Sequence, residues 1–242
     1  MSRAGHRVDF ACGYLLHQRP YRDTSLIVEL YTREYGRLSA FARAARGPRT
    51  RFRGLQAFRP LLLSWVGRGE APTLTAAEGD GPAPLALAAD RLLSGFYLNE
   101  LLLKLTVAHD PQPELYAHYA STLERLRSSE PLEALLRRFE KRLLDLLGYG
   151  SELSCEASGR AVSADGYYHF RAGAGLSPTE AAADAVQGRV LLALAADEPL
   201  QDVEAQRQAR ALLRAALDHC LDGRELKVRA VARAVANMEH SG

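Results

Sequence analysis

Arginines crowd one short stretch of the chain, Gly36–Gly54, which reads GRLSAFARAARGPRTRFRG. It holds six arginines and two phenylalanines but no aspartate or glutamate. Guanidinium groups bind phosphate oxygens, and exposed aromatic rings stack on nucleic-acid bases. The stretch therefore predicts a nucleic-acid-binding surface, and the candidate residues are Arg37, Phe41, Arg43, Arg46, Arg49, Arg51, Phe52 and Arg53.

The charge of the whole chain is unevenly distributed around this stretch. Residues 1–80 hold 13 arginines against 7 acidic residues, a net charge of +6, whereas residues 81–242 carry a net charge of −4 within the total of +2. Eight arginines and no carboxylate lie between Arg37 and Arg68, both included. Because a solvated surface usually mixes both signs, this block indicates an anion-binding face.

The elements that must position these arginines have the pattern of β-strands. Apolar residues between Val8 and Glu78 alternate in five short runs separated by turns. These runs are VDFACGYLLH, SLIVELYT, RLSAFARA, FRPLLLSWVG and PTLTAAE. Five strands in so short a stretch predict a small closed or nearly closed barrel, because closure leaves few exposed edges. A half-open antiparallel sheet packed on helices is the alternative.

Within the third run, alternation separates two sets of side chains onto opposite faces. The inward set is small and apolar, as a barrel interior requires, and comprises Leu38, Ala40 and Ala42. The outward set comprises Arg37, Ser39, Phe41 and Arg43. The ring of Phe41 or Phe52 could instead plug the end of the barrel, and the residues alone leave both possibilities open.

After residue 80 the apolar period becomes helical, which makes the chain α+β. The first predicted helix has an apolar side formed by Leu92, Phe96, Leu98, Leu102 and Leu105. Gly148 is the predicted C-terminal cap of the third helix, and a capping box of Ser177 with Glu180 is expected to open the next helix after an extended insert. The predicted helices cover 85–107, 113–127, 131–147, 202–221 and 224–238, and the insert covers 152–171 with a turn at Asp165-Gly166.

Motifs for catalysis are missing from the sequence. There is no phosphate-binding GxxxxGK[ST] loop, no GxSxG elbow and no HExxH. Cys155 and His169 share the insert, but a structural zinc site requires four ligands. The sequence therefore predicts a protein without an enzymatic centre, a metal or a cofactor. Isolated cysteines, no long apolar run and no signal-peptide pattern predict a cytoplasmic protein, associated with the nucleoid if it binds DNA.

Several segments together resemble the RecO family of bacterial DNA repair proteins. The resemblance rests on GRLSAFARAARGPR, YLNELL, RRFEKRLLDLLGYG and LDGRELKVRAV, in this order along nearly the whole chain. It implies an OB-fold barrel over 1–80 and a mostly helical domain over 81–242. It also implies a mediator that binds single- and double-stranded DNA, anneals complementary strands, and acts with RecR and single-stranded-DNA-binding protein (SSB) to load RecA.

The resemblance extends to the helix LLRRFEKRLLDLLGYG. From spacing alone this is an amphipathic helix with a solvated basic edge. RecO proteins are recruited by the acidic, phenylalanine-ended tail of SSB, and this implies cations for its carboxylates and an apolar pocket for its ring. The candidate tail-binding residues are Arg138 first, then Arg137 and Arg142, with Leu102 and Leu105 as pocket walls.

The insert departs from part of the family. Some RecO proteins have a four-cysteine zinc module after the GYG turn, whereas the region near 150–172 retains only Cys155 here. A metal-free hairpin or loop is therefore expected.

Two other functional classes remain as alternatives: an RNA-binding OB module in translation or RNA processing, and an enzyme that uses the barrel only to dock its substrate. The order of the motifs favours the recombination mediator.

Overall fold

The computed structural model describes residues 6–47, 50–67, 69–81, 87–200 and 202–231. It divides into two compact units, one of Met1–Arg127 with Leu226–Gly242 and one of Ser128–Glu225. This grouping differs from the division expected at residue 80, because the two helices that follow the barrel pack with it in the first unit.

The first unit is built on five strands, as the alternating pattern predicts: β1 Arg7–Tyr21, β2 Ser25–Thr32, β3 Gly36–Ala42, β4 Leu61–Val66 and β5 Thr73–Gly79. Strand β1 pairs with both β2 and β4, so the sheet closes in the order β1-β2-β3-β5-β4. All pairings are antiparallel except that of β3 with β5, which meet in a parallel pair at Phe41 and Thr73.

The interior of the barrel is filled by inward-facing apolar side chains. On β3 the small residues Ala40 and Ala42 are fully buried, which lets the larger side chains of the other strands fill the centre. Removing this apolar surface from water is the main stabilising contribution. The largest members of the core cluster include Leu30, Leu38, Leu61, Leu63, Trp65 and Leu74.

Helices α1 (Ala89–Leu105) and α2 (Pro113–Arg125) complete the first unit. A buried polar chain ties them to the barrel: the hydroxyl of Tyr119 donates to Asn99 Oδ1 at 2.6 Å, and Asn99 Nδ2 donates to the carbonyl of Leu16 at 2.9 Å. Each of these polar groups is thereby satisfied away from water.

The apolar side expected for α1 is only partly correct. Leu98 and Leu102 are fully buried, but Leu92 and Phe96 are 39% and 40% exposed. The helix is apolar around most of its circumference, so its period does not single out the buried face.

The end of the described chain returns to α1. The carboxylate of Glu100 accepts hydrogen bonds from the backbone N–H groups of Lys227 and Val228, both at 2.9 Å. A carboxylate in this position caps the start of a helix, and residues 227–231 are helical. The helix expected over 224–238 thus begins three residues later than predicted, and its part beyond residue 231 lies outside the described residues.

The second unit combines helices with a small sheet. Helix α3 (Leu132–Leu146) ends as predicted at Gly148, whose φ of +79° forms a left-handed cap. The N–H of the next residue, Tyr149, donates to Leu144 O at 2.9 Å. Asp202 caps the start of α5 (Val203–Leu221) by accepting from Ala205 N–H at 2.7 Å. The elements are α3 Leu132–Leu146, β6 Tyr167–Arg171, β7 Gly175–Thr179, β8 Val186–Gln187, α4 Gly188–Ala195 and α5 Val203–Leu221.

The capping box expected at Ser177 and Glu180 is wrong. Ser177 lies in β7, directly opposite His169 of β6. The next helix in the described chain begins only at Gly188. Gly173 and Gly175 both have positive φ and turn the chain into a β-hairpin at this point. The long-range pairing with β6 overrides the local capping pattern.

Candidate nucleic-acid interface

Strand β3 presents the alternation expected from its sequence. Leu38, Ala40 and Ala42 are at most 1% exposed and face the barrel core. The alternate residues up to Phe41 lie on the outer face and are only partly buried. The outer face of β2 and β3 is thus the surface on which the predicted residues can be placed.

Arg37 is on this outer face but is not open to solvent. Its guanidinium donates to Thr106 O at 3.1 Å and to Thr106 Oγ1 at 3.3 Å, and its Nη1 lies 3.5 Å from Glu29 Oε2. The segment after α1 covers it, with His109 N–H donating to Arg37 O at 2.8 Å. The side chain retains 19% exposure. Arg37 thus faces outwards, as strand alternation predicts, but its guanidinium acts within the fold, where it is hydrogen-bonded to Thr106 and ion-paired with Glu29.

Phe41 on β3 forms an aromatic pair with Tyr21 on β1, across the intervening strand β2. Its ring centroid lies 5.2 Å from that of Tyr21 on β1, at an interplanar angle of 52°. The strand register places Arg19 opposite Ile27 and Ile27 opposite Phe41, so these side chains share the outer face. Both rings are partly exposed, whereas Ile27 retains only 8% exposure.

Exposed arginines surround the aromatic pair. The guanidinium of Arg22 lies 5.3 Å from the centroid of Tyr21, within the range of a cation–π contact. Arg46 reaches the same turn, since its N–H donates to Thr24 O at 3.0 Å and its Nη1 to the Asp23 carbonyl at 3.4 Å. We call the surface formed by these residues the basic turn face, and it comprises Arg19, Tyr21, Arg22, Phe41, Arg43 and Arg46.

Only half of the residues of this surface were predicted from the sequence. Phe41, Arg43 and Arg46 were predicted, whereas Arg19, Tyr21 and Arg22 were missed because they lie outside the acid-free stretch. The available signal was the turn RPYRDT, where Tyr21 stands one residue before Arg22. The same turn contains one exposed carboxylate, Asp23.

The remaining residues of the arginine stretch have mixed outcomes. Phe52 is 4% exposed and belongs to the barrel core, so its ring is not available to stack on a base. Its burial corresponds to the alternative in which a ring plugs the barrel. Arg51 stacks over this ring at 5.2 Å, and both Arg51 and Arg53 are exposed. Arg49 lies outside the described residues.

The candidate tail-binding arginines on α3 differ sharply in exposure. Arg137 is buried, pairs with the buried carboxylate of Glu140, and lies 3.6 Å from Glu133 Oε2. It is thus committed to the interior of the second unit. Arg138 is 36% exposed and lies 3.1 Å from Glu130 Oε1, and Arg142 is exposed.

The apolar residues expected beside them offer little surface. Leu102 is fully buried within the first unit, and Leu105 is partly buried there. Leu102 therefore cannot form the wall of an open pocket. It was selected from helical spacing, which does not reveal which face of an apolar helix is covered.

Potential metal ligands do not cluster in the described part of the chain. Nowhere in it do three histidine, cysteine or acidic side chains gather closely enough to hold a metal ion. None of its helices combines the length and the apolar character needed to cross a bilayer. Binding through the basic turn face is the chemistry that the geometry supports: arginines contact phosphates, and the rings offer flat surfaces to bases.

Comparison with known proteins gives consistent matches over nearly the whole chain. Residues 11–81 match the family model described as Recombination protein O N terminal, and residues 87–230 match Recombination protein O C terminal. The protein from Methylococcus capsulatus called DNA repair protein RecO is 46% identical over 222 residues, or 91% of each chain.

Two further relatives with the same printed name show similar coverage. The protein from Alkalilimnicola ehrlichii is 46% identical over 239 residues, 96% of this chain and 94% of its own. The protein from Chromobacterium violaceum is 42% identical over 246 residues, 98% of this chain and 99% of its own.

Proposed function

The chain belongs to the RecO family of DNA repair proteins, and from this premise we propose that it is a DNA-binding recombination mediator. In this role it anneals complementary strands and, together with RecR, helps to load RecA onto single-stranded DNA that is coated with SSB. Its substrate is the DNA itself, and no step of this role needs a catalytic centre.

The observation that carries the proposal is the concentration of exposed arginines and partly exposed rings at one end of the barrel. The strand order β1-β2-β3-β5-β4 fits an OB-fold. In that fold the face of the second and third strands, with the loops after the first and fourth strands, binds oligonucleotides. The basic turn face lies on β1 and β3, on either side of β2, and includes the loops after β1 and β3.

This surface can promote annealing without a source of chemical energy. Two complementary strands repel each other through their phosphates, and bound arginines reduce that repulsion. Base pairing then drives the reaction. Since the sequence contains no phosphate-cradling loop for a nucleotide, annealing proceeds without ATP.

Recruitment by SSB is assigned to the exposed cations of α3. Arg137 is buried and held by Glu140, so the more exposed Arg138 and Arg142 are the arginines assigned to the carboxylates of the SSB tail. A guanidinium can hold a carboxylate through two parallel hydrogen bonds. The change Arg138→Glu should therefore weaken binding of the isolated tail peptide while leaving binding to bare single-stranded DNA intact.

Annealing of SSB-coated complementary oligonucleotides tests the proposal. The purified protein should anneal them in the absence of ATP, and the triple variant Arg22→Ala, Arg43→Ala, Arg46→Ala should anneal much more slowly. A matched control is Arg189→Ala, Arg207→Ala, Arg214→Ala, which removes the same charge from exposed positions of the second unit. A strict requirement for ATP, or equal loss in both triple variants, would contradict the proposed role.

A further inference from the structure

The outer face of the barrel has an apolar cluster where water-facing side chains are expected. Antiparallel sheets with one solvated face normally alternate apolar-in and polar-out. Here Tyr21, Ile27 and Phe41 stand side by side on the outer face of β1, β2 and β3. None of the three belongs to the barrel core cluster.

The three side chains of the cluster differ in their exposure to solvent. Ile27 retains 8% exposure, while the rings of Tyr21 and Phe41 remain partly exposed. The backbone of β3 is fixed at this point by Phe41 N–H, which donates to Pro72 O at 2.8 Å. The rings are therefore held in place on a rigid strand, and an aromatic surface that is held before binding loses little entropy when a ligand arrives.

We propose that the Tyr21–Phe41 pair stacks on unpaired bases and thereby makes the protein prefer single-stranded over duplex DNA. This inference rests on the proposed DNA-binding function and assigns to the same surface the feature of DNA that it recognises. Phosphates are common to both forms of DNA, so the arginines alone distinguish them weakly. Accessible base faces exist only in single strands, because duplex bases are already stacked on their neighbours.

Charge complementarity identifies the occupant of this aromatic surface. Arg19, Arg22, Arg43 and Arg46 are exposed around the rings, and the carboxylate of Asp23 is the acidic group of the adjoining turn. A polyanion with flat apolar faces matches this combination. Arg22, which stacks over Tyr21 at 5.3 Å, can extend the platform, since guanidinium planes also stack on bases.

The test removes the two aromatic rings, while it keeps an apolar side chain at both positions and all the arginines. The variant Tyr21→Leu, Phe41→Leu should bind an unlabelled thymidine oligonucleotide about tenfold or more weakly than the wild-type protein, given the typical contribution of a stacked base. Its affinity for a duplex of equal length should change by less than about twofold, and its salt dependence should be unchanged because no cation is lost.

A second ligand separates stacking from a general disturbance of the surface. An abasic oligonucleotide has the same phosphates and no bases, so the wild-type protein should bind it more weakly than the thymidine strand. The double variant should bind both strands alike. Phe10→Leu is the control, since Phe10 is 63% exposed on the same barrel and lies outside the basic turn face. Thermal unfolding followed by circular dichroism confirms that each variant is folded.

The outcomes distinguish the inference from the proposed function. If the wild-type protein binds thymidine and abasic strands equally, the protein binds DNA but the rings do not stack. Equal loss of single-strand and duplex binding in the double variant would also overturn the inference. Failure of the wild-type protein to bind any DNA would instead refute the proposed function itself.

Discussion

The guanidinium of Arg37 lies 3.5 Å from the carboxylate of Glu29 on the outer face of the barrel and also donates to the Thr106 carbonyl at 3.1 Å. A second hydrogen bond joins Ser39 Oγ to Glu29 Oε1 at 2.6 Å. This network divides the outer face. One end is a closed polar network, and the other end is the basic turn face, where the arginines are exposed.

Replacement of Arg37 and of Arg43 by alanine should have opposite consequences. Arg37→Ala removes the donor to the Thr106 carbonyl and the ion-pair partner of the partly buried Glu29, which costs about 1–3 kcal/mol of unfolding free energy. Its effect on the salt dependence of DNA binding should be negligible. Arg43→Ala should change the free energy of unfolding by less than about 0.5 kcal/mol. It should also lower the slope of log affinity against log salt by about 0.7. Urea unfolding and binding titrations at several salt concentrations measure both quantities, and a flatter salt dependence in Arg37→Ala would contradict the division.

Two buried tyrosines offer a matched test of hydrogen bonding within the first unit. The hydroxyl of Tyr119 donates to Asn99 Oδ1, whereas that of Tyr31 finds no hydrogen-bond partner within the described part of the chain. Tyr119→Phe leaves an acceptor of Asn99 unsatisfied and should lower the unfolding free energy by about 1–3 kcal/mol. Tyr31→Phe removes an unpaired hydroxyl and should be neutral or stabilising. Equal destabilisation of both variants in urea unfolding would refute the assignment.

The same tyrosine cluster makes stability sensitive to alkaline pH. Burial is the main cause that raises the pKa of Tyr31, Tyr116 and Tyr119 above the ordinary value of about 10. A raised pKa means that folding favours the neutral phenol, so the stabilising contribution is complete below pH 10 and is lost as the pH rises above it. The unfolding free energy should therefore fall above about pH 10. Tyr116→Phe should reduce this fall, and the exposed Tyr149→Phe serves as the control.

The buried ion pair of α3 should stabilise the second unit. Glu140 and Arg137 have side chains that are 2% and 9% exposed. Glu140→Ala leaves the guanidinium of Arg137 buried without this partner, and such a change costs about 3–5 kcal/mol. Arg138→Ala, at a position that is 36% exposed, should cost less than about 1 kcal/mol. Chemical unfolding of both variants compares them, and a larger cost at Arg138 would reverse the roles given to the two arginines.

The strands and most helices could be predicted from the sequence because their signals are local. The alternation of Leu38, Ala40 and Ala42 with outward residues follows directly from the period of a strand. Gly148 is similar, since a left-handed cap strongly favours glycine. The pattern at Ser177 failed because its pairing partner, β6, is fixed by contacts that the local sequence does not show.

The composition of the interface was harder to predict for the same reason. Tyr21 and Phe41 lie far apart in sequence, and they meet through the register of three strands. That register shifts at an irregularity between Leu15 and His17, which no residue type announces. The burial of Phe52 likewise depends on closure of the whole barrel. Because closure involves all five strands, the local sequence around Phe52 does not decide whether its ring is exposed or buried.

The salt dependence of single-stranded DNA binding tests the central claim most directly. For the wild-type protein and the two triple variants described above, affinity is measured from low to moderate salt. The triple variant Arg22→Ala, Arg43→Ala, Arg46→Ala should lower the slope of log affinity against log salt by about two, since each lost phosphate contact contributes roughly 0.7. The control Arg189→Ala, Arg207→Ala, Arg214→Ala should keep the wild-type slope. An unchanged slope in the first variant, or an equal decrease in the control, would show that the DNA binds elsewhere than on the basic turn face.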